Sequence, residues 1–269
     1  MESRDTVAIE AVRTGAAYAS EHFRSDLAVE QKSSKTDVVT EIDRSTQHRI
    51  ISAIDEYFPN DAIVGEEEDE RKTVPEDGYA WIIDPIDGTQ NYVRGIRAWV
   101  TSVAVVRDGE PINAINAAPA LCDHYRATPD GTTRNGWSIS VSTRTDPETF
   151  AVAPTLRWTR ANSATVGALA DEIVNRFGEL RRIGSAQLTL SLVASGAIDA
   201  VVAFDPEPNP WDTVAGAYLI DRAGGTVTDV HGDEWTPHSR GLVASNGEAH
   251  DALLDAVRTA TDRSSVDEQ

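Results

Sequence analysis

The chain changes its structural grammar once, and that change limits what it can fold into more than any other feature. WVTSVAVVRDGEPINAINAAPA (99–120) reads as two short strands folding back about Asp108-Gly109. HYRATPDGTTRNGWSISVS (124–142) repeats the pattern about Pro129-Asp130-Gly131. From residue 165 onward, helical and strand-like runs alternate instead. TVGALADEIVNRFG (165–178) is helical, LRRIG (180–184) a strand, SAQLTLSLVASGA (185–197) a helix and DAVVAF (199–204) a strand. WDTVAGAYLIDRAGG (211–225) is a helix with a glycine stop, TVTDV (226–230) and GLVAS (241–245) are strands, and EAHDALLDAVRTA (248–260) is a closing helix. Ahead of both regions, residues 5–23 have amphipathic helical spacing. A second helix starts near Asp43–Ser45, carries Ile50, Ile54 and Phe58 at i, i+4, i+8, and ends at Pro59. Between them KSSKTDVVTEID (32–43) is polar and turn-like, and AIVG (62–65) and residues 79–84 are strands. Paired strands followed by alternation predict a layered α/β (α+β) protein with an N-terminal half over 1–128 and a C-terminal half over 129–269. No clean linker separates the halves, so one compact unit is expected.

Charge narrows the function. Asp and Glu number 44 against 24 Lys and Arg, a formal −20, and the lysines are just Lys32, Lys35 and Lys72. This profile looks like that of a salt-accumulating halophile, whose carboxylates keep the surface hydrated when charges are screened within a few ångströms. It argues against unaided binding to nucleic acid or an anionic membrane. No apolar run approaches the ~18–20 residues of a membrane span, and MESRDTVAIEAV lacks a signal-peptide layout, so a cytoplasmic location is expected. Cys122 stands alone and forms no internal disulfide. The six histidines show no metal-binding spacing and read as surface residues; the tryptophans, Trp81 and Trp99 among them, read as core.

The chemistry concentrates where a strand ends, in WIIDPIDGTQNYVRG (81–95). Pro85 denies the ladder a donor, so the strand should stop there. Asp84, Asp87 and the Ile86 carbonyl then curl about one point, the ligand set a hard cation such as Mg²⁺ prefers. Gly88 permits close approach of a ligand, and the amides of Gly88 and Thr89 can meet phosphate oxygens if they open a turn or helix. An Asp-Pro turn followed by an Asp-Gly turn is the structural alternative. Glu66 follows Gly65 at a strand end, although the run EEEDE (66–70) also reads as a solvated face. Asp212 opens an apolar helix and also reads as an N-cap. Four carboxylates at strand or helix ends fit a site for two or three Mg²⁺ ions. Walker A, GxGxxG and GxSxG patterns are absent from the sequence.

GEE (65–67), DPIDGTQNY (84–92) and WDTVAGAYLIDRAGG (211–225) resemble the signature blocks of the inositol monophosphatase family, of the lithium-sensitive, Mg²⁺-dependent phosphatase superfamily that includes fructose-1,6-bisphosphatases. KSSKTDVVTEID, DGTTRNGWSISVS (130–142) and RRIGSA (181–186) also look like family segments, so the resemblance covers most of the chain; 143–163 has no match. It implies an α-β-α-β-α sandwich and a homodimer. Glu66, Asp84 and the Ile86 carbonyl would hold an activating metal; Asp84, Asp87 and Asp212 a second; Glu66 would help a third. Thr89, with Asp43 behind it, would orient the attacking water. Asp87, Gly88, Thr89, Ser185 and Ala186 would line the substrate side. Asp205 stands where the family commonly has a glutamate gripping a sugar hydroxyl. The implied substrate is a small phosphorylated polyol or sugar: inositol 1-phosphate first, fructose 1,6-bisphosphate close behind, a nucleotide 3′-phosphate or NADP third. Arg160, Arg181 and Arg182 are candidates to meet a second phosphate. The rival class is a non-catalytic interaction protein, since some bacterial relatives act in RNA-synthesis complexes.

Overall fold

The computed structural model describes residues 2–25, 29–31, 38–67, 70–155, 158–204 and 208–267. Two long helices come first, α1 (Arg4–His22) and α2 (Glu41–Asp55). Ser3 caps α1 by accepting from the Thr6 amide at 3.1 Å. Between the helices run two short antiparallel strands, β1 (Val29–Gln31) and β2 (Val38–Thr40). The segment read as turn-like thus contributes a strand, and α2 starts directly after it, earlier than the sequence suggests. Residues 32–37 lie outside the described residues.

A seven-stranded sheet follows: β3 (Ala62–Gly65), β4 (Tyr79–Asp87), β5 (Val100–Arg107), β6 (Glu110–Ala118), β7 (Asp123–Thr128), β8 (Gly131–Arg134) and β9 (Trp137–Ser138), in that spatial order. The expected hairpins are there, and the sheet extends past residue 128 to Ser138. A one-turn helix, α3 (Thr89–Val93), follows β4. β3 and β4 pair in parallel; the other neighbours are antiparallel. One correction concerns β4. The strand does not stop at Pro85: Asp87 still pairs with Val100, across an irregularity between Asp84 and Asp87. A bulge takes the missing proline N–H out of the ladder, and the Pro85 carbonyl accepts from Thr101 Oγ1 at 2.9 Å.

The second sheet has the order β11-β10-β12-β14-β13, built from β10 (Ala151–Pro154), β11 (Glu179–Leu180), β12 (Ala200–Ala203), β13 (Thr226–Thr228) and β14 (Leu242–Ser245). β10 comes from the unmatched segment; its sequence AVAP is short and lacks alternation. LRRIG yields strand only through Leu180, because beyond it Gly184 turns at φ 82° and the Ile183 carbonyl is taken by the Asn91 side chain at 2.9 Å. The interleaved helices are α4 (Ser163–Arg176), α5 (Ala186–Ala194), α6 (Pro210–Arg222) and α7 (His250–Asp267).

Packing resolves these into five layers. α1 and α2 cover one face of the large sheet through Ile50, Ile54, Trp81, Ile83 and Val103. α5 and α6 fill the space between the sheets, where Leu190, Val214 and Leu219 meet Ile82 and Ala104 on one side and Val201 and Ala244 on the other. α4 and α7 close the far face of the small sheet through Leu169, Ile173, Leu253 and Val257. The order is α-β-α-β-α. The middle layer is tight: a Cβ on Gly216 of α6 would stand 2.3 Å from Leu190 Cβ of α5, so glycine permits the close approach. Trp81 and Trp99 are fully buried, whereas Trp137 and Trp158 are exposed, against expectation. His250 is also a correction. It is buried, with its ring nitrogens 3.0 Å from Ser245 Oγ and 2.9 Å from Thr228 Oγ1, because α7 starts against β14 and β13 and polar partners satisfy both nitrogens there. No helix among the described residues is long and apolar enough to cross a membrane.

Candidate active site

The bulge in β4 decides the geometry. Ala80 through Asp87 are buried, so both aspartates enter a desolvated region. Past the bulge the chain turns at Gly88, whose φ of 93° lies in the left-handed region. A Cβ there would stand 3.0 Å from Ser185 Cβ and 3.2 Å from the Gly184 carbonyl oxygen. Glycine is therefore needed for both conformation and space. Thr89 begins α3 and its hydroxyl donates within reach of two acceptors, Asp43 Oδ1 at 3.2 Å and the Ile86 carbonyl at 3.1 Å. Asp43 is fully buried on α2.

Glu66 arrives by register. β3 and β4 are parallel with Gly65 opposite Ile83, and the Glu66 amide donates to the Ile83 carbonyl at 3.3 Å. The next positions are Glu66, just past the end of β3, and Asp84 on β4, close enough that, after burial, the Glu66 charge raises the Asp84 pKa. Gln47, one helical turn beyond Asp43, holds the following residue from both sides. Its Nε2 donates to the Glu67 carbonyl at 2.9 Å, and its Oε1 accepts from the Glu67 amide at 3.0 Å. Glu67 itself is buried, so the acid run is not simply a solvated face.

Two helix starts complete the cluster. Ser185 caps α5, accepting from the Leu188 amide at 3.2 Å. Asp87 lies against that end: its carboxylate accepts from Ser185 Oγ, from the Ala186 amide at 3.0 Å and from the Gln187 amide at 2.8 Å. Asp212 sits in the first turn of α6, accepting from Asn209 N at 3.1 Å and Nδ2 at 3.0 Å. It serves the helix start and faces the other aspartates. Asp84, Asp87 and Asp212 each offer an oxygen within 4.8 Å of the other two.

These carboxylates stand too close together to be comfortable as anions, and two of them, Asp84 and Asp87, are buried while Asp212 is half-buried. Burial first, then the charges of Glu66, Asp87 and Asp212, hold Asp84 well above the usual carboxylate range. Burial raises Asp87 to about 6 despite its three donors. Burial and then the Glu66 charge raise Asp212 to about 7. Asp84 Oδ1 is buried with no hydrogen-bond partner. An orphaned acceptor amid converging acids is what a divalent cation satisfies, so the residues present fit one.

Beside the acids opens a cavity of about 390 Å³, walled by Asp87, Asp212, Ser185, Ala186 and Arg182 among others. Gly88 and Thr89 lie outside that wall. Of the three arginine candidates, all exposed, Arg182 alone lines it; Arg181 pairs with Glu179 at 2.8 Å. The Arg182 guanidinium lies over the Trp158 ring, 4.4 Å from its centroid. No carboxylate pairs with it among the described residues. Trp158 gave no local signal in the sequence. Gln47 could have been noticed as a polar residue on the apolar face of α2. Asp205 lies outside the described residues.

Comparison with known proteins agrees with this arrangement. Residues 1–262 match the profile of the inositol monophosphatase family. The fructose-1,6-bisphosphatase/inositol-1-monophosphatase of Thermotoga maritima is 36% identical over 231 residues, 85% of this chain and 86% of that one. The inositol-1-monophosphatase of Bacillus subtilis is 31% identical, with 93% and 95% covered, and the Nus factor SuhB of Escherichia coli 30%, with 94% of each. Among solved structures, a Thermotoga maritima IMPase superposes with a TM-score of 0.87 at 32% identity, covering 96% of this chain and 98% of that one. Sequence profile, fold and converging acids agree: the chain belongs to the inositol monophosphatase family.

Proposed function

We propose that the protein is a Mg²⁺-dependent phosphatase of small phosphate monoesters, with inositol 1-phosphate as its substrate. The observation that carries this reading is the convergence of Asp84, Asp87 and Asp212, with the Glu66 charge near enough to add to burial in raising Asp84, and one buried Asp84 oxygen left unpartnered. Glu66, Asp84, Asp87, Asp212 and the Ile86 carbonyl would hold two or three Mg²⁺ ions. Bound there, Mg²⁺ supplies charge to neutralise phosphoryl oxygens and acidity to ionise a water near neutral pH. The chain does the positioning. Thr89 donates its hydroxyl proton toward Asp43, 3.2 Å away, which leaves a lone pair to accept from the attacking water and fix its direction. Asp43 acts through Thr89. Ser185 and Ala186 commit their donors to Asp87, which keeps that carboxylate aimed at the cluster while their other atoms wall the substrate cavity. Asp205, Gly88 and Thr89 complete the substrate contacts in this reading.

A second substrate has an observation of its own. Arg182, lining the cavity and without a carboxylate partner among the described residues, is within reach of a second phosphate, which favours fructose 1,6-bisphosphate. The reading also carries a salt-adapted, cytoplasmic homodimer, for which light scattering in molar KCl reports the stoichiometry. Phosphate release from inositol 1-phosphate, fructose 1,6-bisphosphate and a nucleotide 3′-phosphate, with and without Mg²⁺ in molar KCl, tests the function. Release should require Mg²⁺, and Asp84→Asn should lower it by roughly a thousandfold with the fold intact. No release from any of the three, or full activity in the variant, refutes the reading.

A further inference from the structure

Lys72 stands next to the site without belonging to the ligand set. Its ammonium lies 2.8 Å from the Gly65 carbonyl oxygen, 3.1 Å from that of Glu66 and 3.4 Å from that of Glu67. Three successive carbonyls facing one point repel one another, and a cation among them removes that repulsion. The same ammonium is 5.4 Å from the centroid of the Trp211 ring, and Trp211 immediately precedes Asp212. The Trp211 carbonyl accepts from Gln187 Nε2 at 2.6 Å, and the Gln187 amide donates to Asp87 at 2.8 Å. One side chain therefore touches the turn bearing Glu66 and the aromatic neighbour of Asp212, and connects through Gln187 to Asp87.

The choice of residue supports a specific role. With 24 Lys and Arg of which three are lysine, 24 − 3 = 21 are arginine, so lysine is the rare cation in this chain. A three-carbonyl cup suits a compact ammonium with three rotatable donors; a planar guanidinium fork does not fit it. We infer that Lys72 is a positioning residue: its ammonium holds the Glu66 turn and the start of α6 in the relative placement that lets Glu66 and Asp212 share cations with Asp84 and Asp87. The inference rests on the reading of these acids as a divalent-cation site.

The test is calorimetric titration of Mg²⁺ into chelator-stripped full-length protein in sodium chloride, comparing wild type, Lys72→Ala and Lys72→Arg, with thermal melts in EDTA alongside. Both variants should bind Mg²⁺ about tenfold more weakly, the scale set by loss of a ligand-orienting contact. Replacing part of the sodium by ammonium at constant ionic strength should recover affinity in Lys72→Ala and leave wild type unchanged. Trp211→Leu, which keeps the lysine and removes the ring, should weaken binding about threefold. The proposal is overturned if the Lys72 variants bind Mg²⁺ like wild type, or if ammonium restores nothing. It is also overturned if their melting temperature in EDTA falls in step with affinity, which marks a purely structural contact. Should Lys72→Ala not fold, Lys72→Arg and Trp211→Leu decide the matter by the same affinities. Wild type that binds Mg²⁺ but releases no phosphate sinks the phosphatase reading and leaves this one standing; wild type that binds no Mg²⁺ sinks both.

Discussion

Asp87 and Asp212 bear their protons far above the ordinary carboxylate value of 3.8, at about 6 and about 7. Their raised values make stability depend on pH in a definite direction. A group whose folded pKa is raised contributes stability in full below its unfolded value and loses it as pH climbs through the folded value. Chelated protein should therefore become less stable between about pH 4 and pH 7, opposite to the trend of a salt-bridged carboxylate. Mg²⁺ must displace those protons, so its affinity should rise over the same interval. Thermal melts from pH 4.5 to 8, with EDTA or with Mg²⁺, would show the two curves diverging as pH rises. Parallel curves would mean that these carboxylates are not where the cation binds.

At the scale of elements, the site is a junction: β4 delivers Asp84 and, at its end, Asp87; Glu66 follows the end of β3, Asp212 sits in the first turn of α6, and the start of α5 supplies the donors that orient Asp87. A terminus holds position only if something ties it down, and α2 does this for Glu66. Gln47 is fully buried and satisfies both the N–H and the carbonyl of Glu67. Gly65 lies so close that a Cβ would meet Gln47 Oε1 at 2.8 Å. Gln47→Leu removes the acceptor of the buried Glu67 N–H and one donor to the Glu67 carbonyl, which Lys72 also meets; it should cost about 1–3 kcal/mol in urea unfolding and weaken Mg²⁺ binding as the Glu66 turn loosens. An unchanged urea midpoint in Gln47→Leu would show that the turn is held by its other contacts alone.

Across the whole molecule, a formal −20 opposes both folding and the approach of a phosphate ester. Screening shortens the reach of that repulsion from about 10 Å at 0.1 M salt to about 3 Å at 1 M. Raising KCl from 0.1 to 2 M should therefore raise the melting temperature by several degrees, as calorimetry would detect; a flat or falling curve would separate the charge from salt adaptation. Much of the fold was legible because periodicity is local. The hairpins at 108–109 and 129–131, the helices and the layered class follow from which side chains alternate and which recur every third or fourth residue. The misreadings came where a distant partner overrode a local rule. Thr101 supports a strand through Pro85, Asn91 draws Ile183 out of a strand, and Ser245 and Thr228 make a buried place for His250. The sequence by itself determined which carboxylates were candidates, Glu66, Asp84, Asp87 and Asp212 beside a glycine and a hydroxyl, and left a turn, a solvated face and an N-cap as their other readings. Tertiary structure decided the rest. It set Glu66 beside Asp84 through the β3–β4 register, brought Asp212 to Asp84 and Asp87, chose Arg182 over Arg160 and Arg181 for the cavity, and brought Lys72 to Trp211. The physical reason is that a chain's local pattern encodes which face of an element is buried, whereas the meeting of two elements far apart in sequence depends on sheet register and layer packing, which no short stretch records.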